Sequence, residues 1–284
     1  MNLDPGIHRI LVPLDLGPGS ERVFAHALKL ALCTGASLSA VHVAEDPDQL
    51  VPWTALPSAL DLLVQWGVLP AGATEAEVEG LGLHVARDAR VERGTEEALV
   101  GAVIDTLPNI IVVGTGTRTG LERLRRGSVA EAVARRSGAV TLFLPQPGQG
   151  LLDMETGRST VGTVLFPVGG PQRELQHAVD VLGAFLDVLG VTETRVVIVH
   201  VGDDPTPELE VDARPGWTWS LDRRPAAGLD GVVDGIVAAQ GEHRADLVVM
   251  ATRGHDSLMD ALRGSKTEQV LRQARCPVLA VPID

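Results

Sequence analysis

Gly114 ends a short apolar run, and Gly127-Ser128 opens a helical pattern further on. Those residue types suit a phosphate. Glycine has no Cβ, so its backbone can approach an anion closely, and a helix N-terminus offers free N–H groups at the positive end of a dipole. In such a loop the Ser128 hydroxyl and the Val129 N–H would hold the outer phosphates. The stretch Ser128-Val129-Ala130-Glu131 is also a capping box, S-x-x-E, as is Ser265-Lys266-Thr267-Glu268 in a second, similar stretch. The two roles are compatible, because a capped helix keeps N–H groups to offer. Arg118, Arg123, Arg125 and Arg126 lie within the first loop, with Arg253 and Arg263 in the second. They read either as a solvated face or as an anion clamp.

Other chemistries find less support. The only lysines, Lys29 and Lys266, do not sit in GxxxxGK[ST], so the Walker A loop is missing. Gly114-x-Gly116-x-x-x-Gly120 has the wrong spacing for a dinucleotide fingerprint and follows a fourth strand rather than a first. His255-Asp256-Ser257 are adjacent in sequence and cannot form a triad. His42 and His200 each end a strand-like run and read as core residues. Cys276 has no neighbour that would activate its thiol. No HExxH, GxSxG or grouped metal ligands occur, so a divalent ion would enter only on the phosphates of a nucleotide.

Composition narrows the class. The 284 residues suggest about two domains. The formal charge of −13 argues against nucleic acid and against a polybasic membrane anchor. Four Trp, four Phe and no Tyr leave little for base stacking. The two distant cysteines exclude a disulfide framework and fit a reducing cytoplasm. No apolar run reaches the roughly 18 residues of a membrane span, and the start of the chain does not read as a signal peptide.

The elements that must position these residues occur twice. RILVPLD (9–15) corresponds to TVLFPVG (163–169), and Val41-His42-Val43 to Val199-His200-Val201. NIIVVG (109–114) corresponds to DLVVMA (246–251), Gly127-Ser128 to Gly264-Ser265, and AVTLFLP (139–145) to CPVLAVP (276–282). The late matches share one offset and the first has a larger one, so the second half has lost 17 residues in its middle. Strands are expected at 9–14, 37–43, 84–92, 109–114 and 140–144. Helices are expected at 20–34, 56–66 with 74–81, 95–106 and 128–137. Ser20 reads as the N-cap of the first helix and Gly35 as its stop. The shortening falls between the second and third strands of the second half, where the helix must be short or absent. PQPGQGLLDMETGRST (145–160) is rich in Pro, Gly and polar residues and reads as the linker. The expected domains are 1–146 and 161–284, joined by 147–160.

Each half resembles a universal stress protein domain, and the chain resembles the tandem type. The family signature is Gly, two residues, Gly, nine residues, then Gly and Ser or Thr. It is approached by GTGTRTGLERLRRGSVAEAV (114–133) and by ATRGHDSLMDALRGSKTEQV (251–270). The resemblance implies an α/β fold with two doubly wound, Rossmann-like parallel five-stranded sheets of strand order 3-2-1-4-5, of the adenine nucleotide alpha hydrolase type. It implies a pseudo-twofold internal dimer with strand 140–144 beside strand 277–281, and leaves a homodimer open. Many members bind ATP at the carboxyl ends of the first and fourth strands, others bind no nucleotide, and the role is regulatory, in survival under stress.

Carried over by resemblance, the first nucleotide site comprises Pro13, Asp15, Val43, Gly114, Gly116, Thr117, Gly127, Ser128 and Val129. Asp15 would fix the ribose and adenine end, and the Val43 backbone would meet adenine. A weaker second site comprises Val201, Gly254, Gly264 and Ser265. Both halves depart from the pattern. Thr117 replaces the second glycine of the first loop, Ala251 replaces the first glycine of the second, and Gly169 stands where the first half has Asp15. The expectation is a regulatory protein that binds ATP in the first half, with Mg or Mn carried on the phosphates. No general base stands out, so hydrolysis should be slight or nil. The alternatives are an adaptor acting through protein partners or another small ligand, and an adenylating or pyrophosphatase-type enzyme.

Overall fold

The computed structural model describes residues 6–49, 52–92, 94–115, 133–134, 137–211, 214–226, 231–253 and 266–283. The chain divides into two compact units at the Ser159–Thr160 junction.

In the first unit β1 (Arg9–Pro13) leads to α1 (Ser20–Thr34), β2 (Ser37–Ala44), α2 (Ala59–Gln65), α3 (Glu75–Gly80) and β3 (Val85–Val91). Then follow α4 (Thr95–Thr106), β4 (Ile110–Thr115) and β5 (Val140–Pro145). The strand order is β3-β2-β1-β4-β5, and every pairing is parallel. Strand β1 is central, covered on both faces, and its Ile10, Leu11 and Val12 are buried. This is why the strands read as continuous apolar runs and not as alternating ones. Helix α1 buries Val23, Phe24, Ala27, Leu28 and Ala31, the helical spacing of one apolar face. It stops at Gly35, which takes the left-handed conformation (φ 70°) and donates its N–H to the Ala31 carbonyl.

The second unit repeats the plan with β6 (Thr163–Val168), α5 (Gln172–Val188), β7 (Thr194–Val201), β8 (Trp217–Arg224), α6 (Gly231–His243), β9 (Leu247–Arg253), α7 (Lys266–Gln273) and β10 (Val278–Ile283). Its order is β8-β7-β6-β9-β10, again all parallel. The shortened crossover between β7 and β8 contains no helix among the described residues of 202–216. Its described part is tied to α5 by the Gln176 carboxamide, which exchanges hydrogen bonds with the Glu210 backbone at 3.0 Å each way.

The repeat extends to a side-chain device. Asn109 precedes β4, and its Oδ1 accepts the N–H groups of His8 and Arg9 at the start of β1. Asp246 precedes β9 and does the same for Gly162 and Thr163 ahead of and within β6. Each fixes the register of the central strand against its neighbour.

One expectation is corrected. Ser20 is not the N-cap of α1; Gly19 is, and the buried Ser20 hydroxyl donates instead to Asp15 Oδ1 at 2.8 Å. The tight turn 15–20 brings a carboxylate within reach, and a charged acceptor outcompetes the orphan backbone groups of the first turn. The expected helix at 128–137 lies mostly outside the described residues; 133, 134 and 137 are helical. Of residues 147–160, expected as the linker, 147–159 belong to the first unit, where Leu151 and Leu152 are buried, and Thr160 to the second.

Candidate functional site

The chain leaves β1 toward β2 on one side, while β4 pairs with β1 on the other. In doubly wound sheets such a switch point opens a crevice beyond the carboxyl ends of the two strands, and ligands bind there. Four expected site residues of the first unit stand at this edge or beside it: Pro13 ends β1, Asp15 follows it, Val43 lies near the end of β2, and Gly114 lies at the end of β4. Gly116, Thr117, Gly127, Ser128 and Val129 lie outside the described residues, as do the four arginines of the first loop.

The turn after β1 is held from several directions. Leu14 donates its N–H to the Val41 carbonyl at 2.8 Å, and His42 Nδ1 donates to the Leu14 carbonyl at 2.9 Å. Leu16 adopts a positive φ of 58°, which reverses the chain. Asp15 Oδ1 then accepts both the Gly17 N–H, at 2.9 Å, and the Ser20 hydroxyl. The carboxylate is thereby fixed just beyond the carboxyl end of β1.

Gly114 has a neighbour that the sequence did not announce. A Cβ on Gly114 would lie 2.3 Å from Gln146 Nε2 and 3.2 Å from Val23, and a Cβ on Gly19 would lie 2.3 Å from Gln146 Cδ. The Gln146 side chain therefore fills the gap between the N-terminus of α1 and the end of β4. Its backbone N–H is fixed to the Thr115 carbonyl at 2.7 Å. Gln146 Oε1 is buried with no hydrogen-bond partner among the described residues. Alongside, Arg22 Nη2 donates to the Pro145 carbonyl at 2.5 Å, and burial lowers the guanidinium pKa.

The second unit offers a poorer set. Gly169 follows β6, and a Cβ there would meet nothing within 4 Å among the described residues, so their packing does not demand a glycine at the position of Asp15. Val201 ends β7, and its methyl groups lie 3.0 Å from where a Cβ on Gly235 would stand. Gly254, Gly264 and Ser265 lie outside the described residues. His200 is buried, with Nε2 3.5 Å from the Asp204 carboxylate. The Cys276 thiol is buried and its pKa is pushed up to about 12 by that burial, which leaves it unreactive.

A further repeated feature went unread in the sequence. Asp88 and Arg90 on β3 correspond to Asp222 and Arg224 on β8. Arg90 binds Asp88 and, at 3.1 Å, Asp105 of α4. Arg224 binds Asp222 at 2.8 Å and Glu242 of α6 at 2.5 Å, while His243 Nε2 donates to Asp222 at 2.8 Å. Burial works to raise the Asp222 pKa, but the bonds from Arg224 and His243 outweigh it and the net shift is downward. These ties fasten each outer strand to the helix behind it. The D-x-R spacing in both halves was the available signal.

The universal stress protein family model matches residues 6–142 and 229–282. The chain belongs to that family. The matched segments omit 143–228, yet that interval contains β6, α5, β7 and β8 in the same arrangement as β1, α1, β2 and β3. Among solved structures, a universal stress protein from Archaeoglobus fulgidus DSM 4304 aligns with a TM-score of 0.59 at 17% identity, over 97% of this chain and 96% of that one. A protein of unknown function from Pseudomonas aeruginosa PAO1 aligns with a TM-score of 0.61 at 14% identity, over 100% and 95%. At these identities the likeness concerns the universal stress protein fold alone. No curated protein matches the sequence significantly. No helix among the described residues is long and apolar enough to cross a membrane.

Proposed function

We propose that this universal stress protein is a regulatory, cytoplasmic protein of the stress response that binds ATP in its first unit with little or no hydrolysis. The observation that carries the reading is Asp15, held by Gly17 and Ser20 just beyond β1 at the switch point, with Gly114 near the end of the paired strand β4. A fixed carboxylate is suited to ribose hydroxyls, and a glycine without Cβ to close backbone approach by the sugar and first phosphate. Asp15 already accepts hydrogen bonds from its own turn, so it is poorly placed to serve as a base for water attack.

Gly116, Thr117, Gly127, Ser128 and Val129 are the candidates for the phosphate loop. Mg or Mn would be carried by the phosphates of the nucleotide. In the second unit Gly169 supplies no carboxylate, so the first unit is the better site.

A second reading has one observation in its favour. Gln146 occupies the space over Gly114, as expected of a cleft that has turned from nucleotide to protein partners. Calorimetric titration with ATP and magnesium, paired with mass spectrometry of any small molecule that co-purifies, separates the two. About one equivalent of ATP per chain is expected. No binding and no adenine nucleotide in the purified protein would favour the adaptor.

A further inference from the structure

We infer that Gln146 is a gate on the first-unit crevice, a side chain that rests in the ligand's space and must swing out before a nucleotide can bind. The inference rests on the nucleotide reading above and adds how that site is controlled.

Three observations carry it. The carboxamide lies against both glycines that flank the switch point, Gly19 at the head of α1 and Gly114 at the end of β4, where a Cβ on either would collide with it at 2.3 Å. The space left by two missing side chains is thus filled from a third element. The gate is hinged: its backbone N–H is fixed to the Thr115 carbonyl, and the Pro145 carbonyl before it is held by Arg22, so the side chain can rotate without moving β5. It is also weakly latched. Among the described residues the buried Oε1 has no partner, and a buried carbonyl oxygen that lacks a donor gains one by turning toward solvent. A ligand arriving at the carboxyl ends of β1 and β4 therefore displaces a group that loses little by leaving.

The corresponding position in the second unit is Ile283, which is buried in β10. An apolar side chain has no polar atom to draw it outward, so the device belongs to the first unit.

The test titrates ATP with magnesium into the wild type, Gln146→Ala and Gln146→Leu, each checked for folding by circular dichroism. Removal of the carboxamide in Gln146→Ala should tighten binding by about fivefold or more, mainly through a faster association rate, as expected when a fraction of closed molecules is removed. Gln146→Leu keeps the bulk and should bind no better than the wild type. Equal affinity in all three proteins would overturn the gate while leaving the nucleotide site intact. Weaker binding in Gln146→Ala would overturn it by making the carboxamide a ligand contact. No binding by any of the three would overturn the nucleotide reading and the gate with it.

Discussion

The ring of His26, buried in α1, accepts the backbone N–H of Leu151 at 2.7 Å, a contact made across 125 residues of chain. Its other nitrogen, Nδ1, donates to the Arg22 carbonyl at 2.7 Å, so the ring must be neutral with the proton on Nδ1. Desolvation accordingly lowers its pKa to about 4. An unfolded His titrates near 6.5. Between those values the unfolded chain binds the proton and the folded one does not, so stability falls as pH drops from about 6.5 to about 4 and is whole above that window. The full effect is about 3 kcal/mol. Urea unfolding at pH 7 and pH 5 should show the loss in the wild type and a smaller one in His26→Gln. Equal losses would assign the pH dependence to other groups.

The same segment is fastened a second time. Trp66 Nε1 donates to the Met154 carbonyl at 3.0 Å, and Gly157 lies against the indole with a φ of 64°. A Cβ at Gly157 would stand 2.5 Å from the ring. Gly157→Ala combines that collision with a backbone region that alanine disfavours and should cost about 1–3 kcal/mol. Gly138, also at positive φ but with nothing within 4 Å of its Cβ position, is the control, because Gly138→Ala adds only the conformational part. Thermal unfolding of both variants measures the difference. Equal losses would mean that the indole yields.

The elements were legible because their signals are local. The helix expected at 95–106 is α4 residue for residue, the strands fall within one or two residues of expectation, and the shortening of the second crossover followed from the repeat offset. Much of the site was not legible because its contacts are distant in sequence. Gln146 sits in a Pro- and Gly-rich stretch that signals a loop, and nothing nearby says that its side chain will lie on Gly19 and Gly114. Ser20 has the right type and place for a cap, and only the fold of the turn reveals that Asp15 takes its hydroxyl. Gly150 looks like linker flexibility, but it is required because a Cβ there would stand 2.5 Å from His26.

The Asp15–Ser20 bond makes its own prediction. Ser20→Ala keeps the helix start but removes one of the donors that orient the carboxylate, a hydrogen bond to a charged group worth about 1.5–3 kcal/mol. The variant should unfold at a lower temperature and bind ATP several-fold more weakly. Lower stability with unchanged ATP affinity would show that the orientation of Asp15 serves the turn alone.

The outer-strand ties distinguish a buried partner from an exposed one. The Arg224 and Asp222 side chains are 16% and 21% exposed, whereas that of Glu242 is 62% exposed. Solvent screening leaves an exposed pair worth little, so Glu242→Ala should be nearly silent. Asp222→Ala strips the acceptor from Arg224 and His243 together and should cost about 2–3 kcal/mol. The sign with pH follows from the lowered Asp222 pKa: its contribution is present above the unfolded carboxylate value near 4 and fades as pH falls through the folded one. Asp222→Asn should therefore flatten the acid limb of the stability profile, while Glu242→Gln should flatten it less. Denaturant unfolding of the single variants and of the Asp222→Ala/Glu242→Ala pair measures these terms and their coupling. A larger loss from Glu242→Ala than from Asp222→Ala would mean that the helix-side carboxylate, and not the strand's own, holds Arg224 in place.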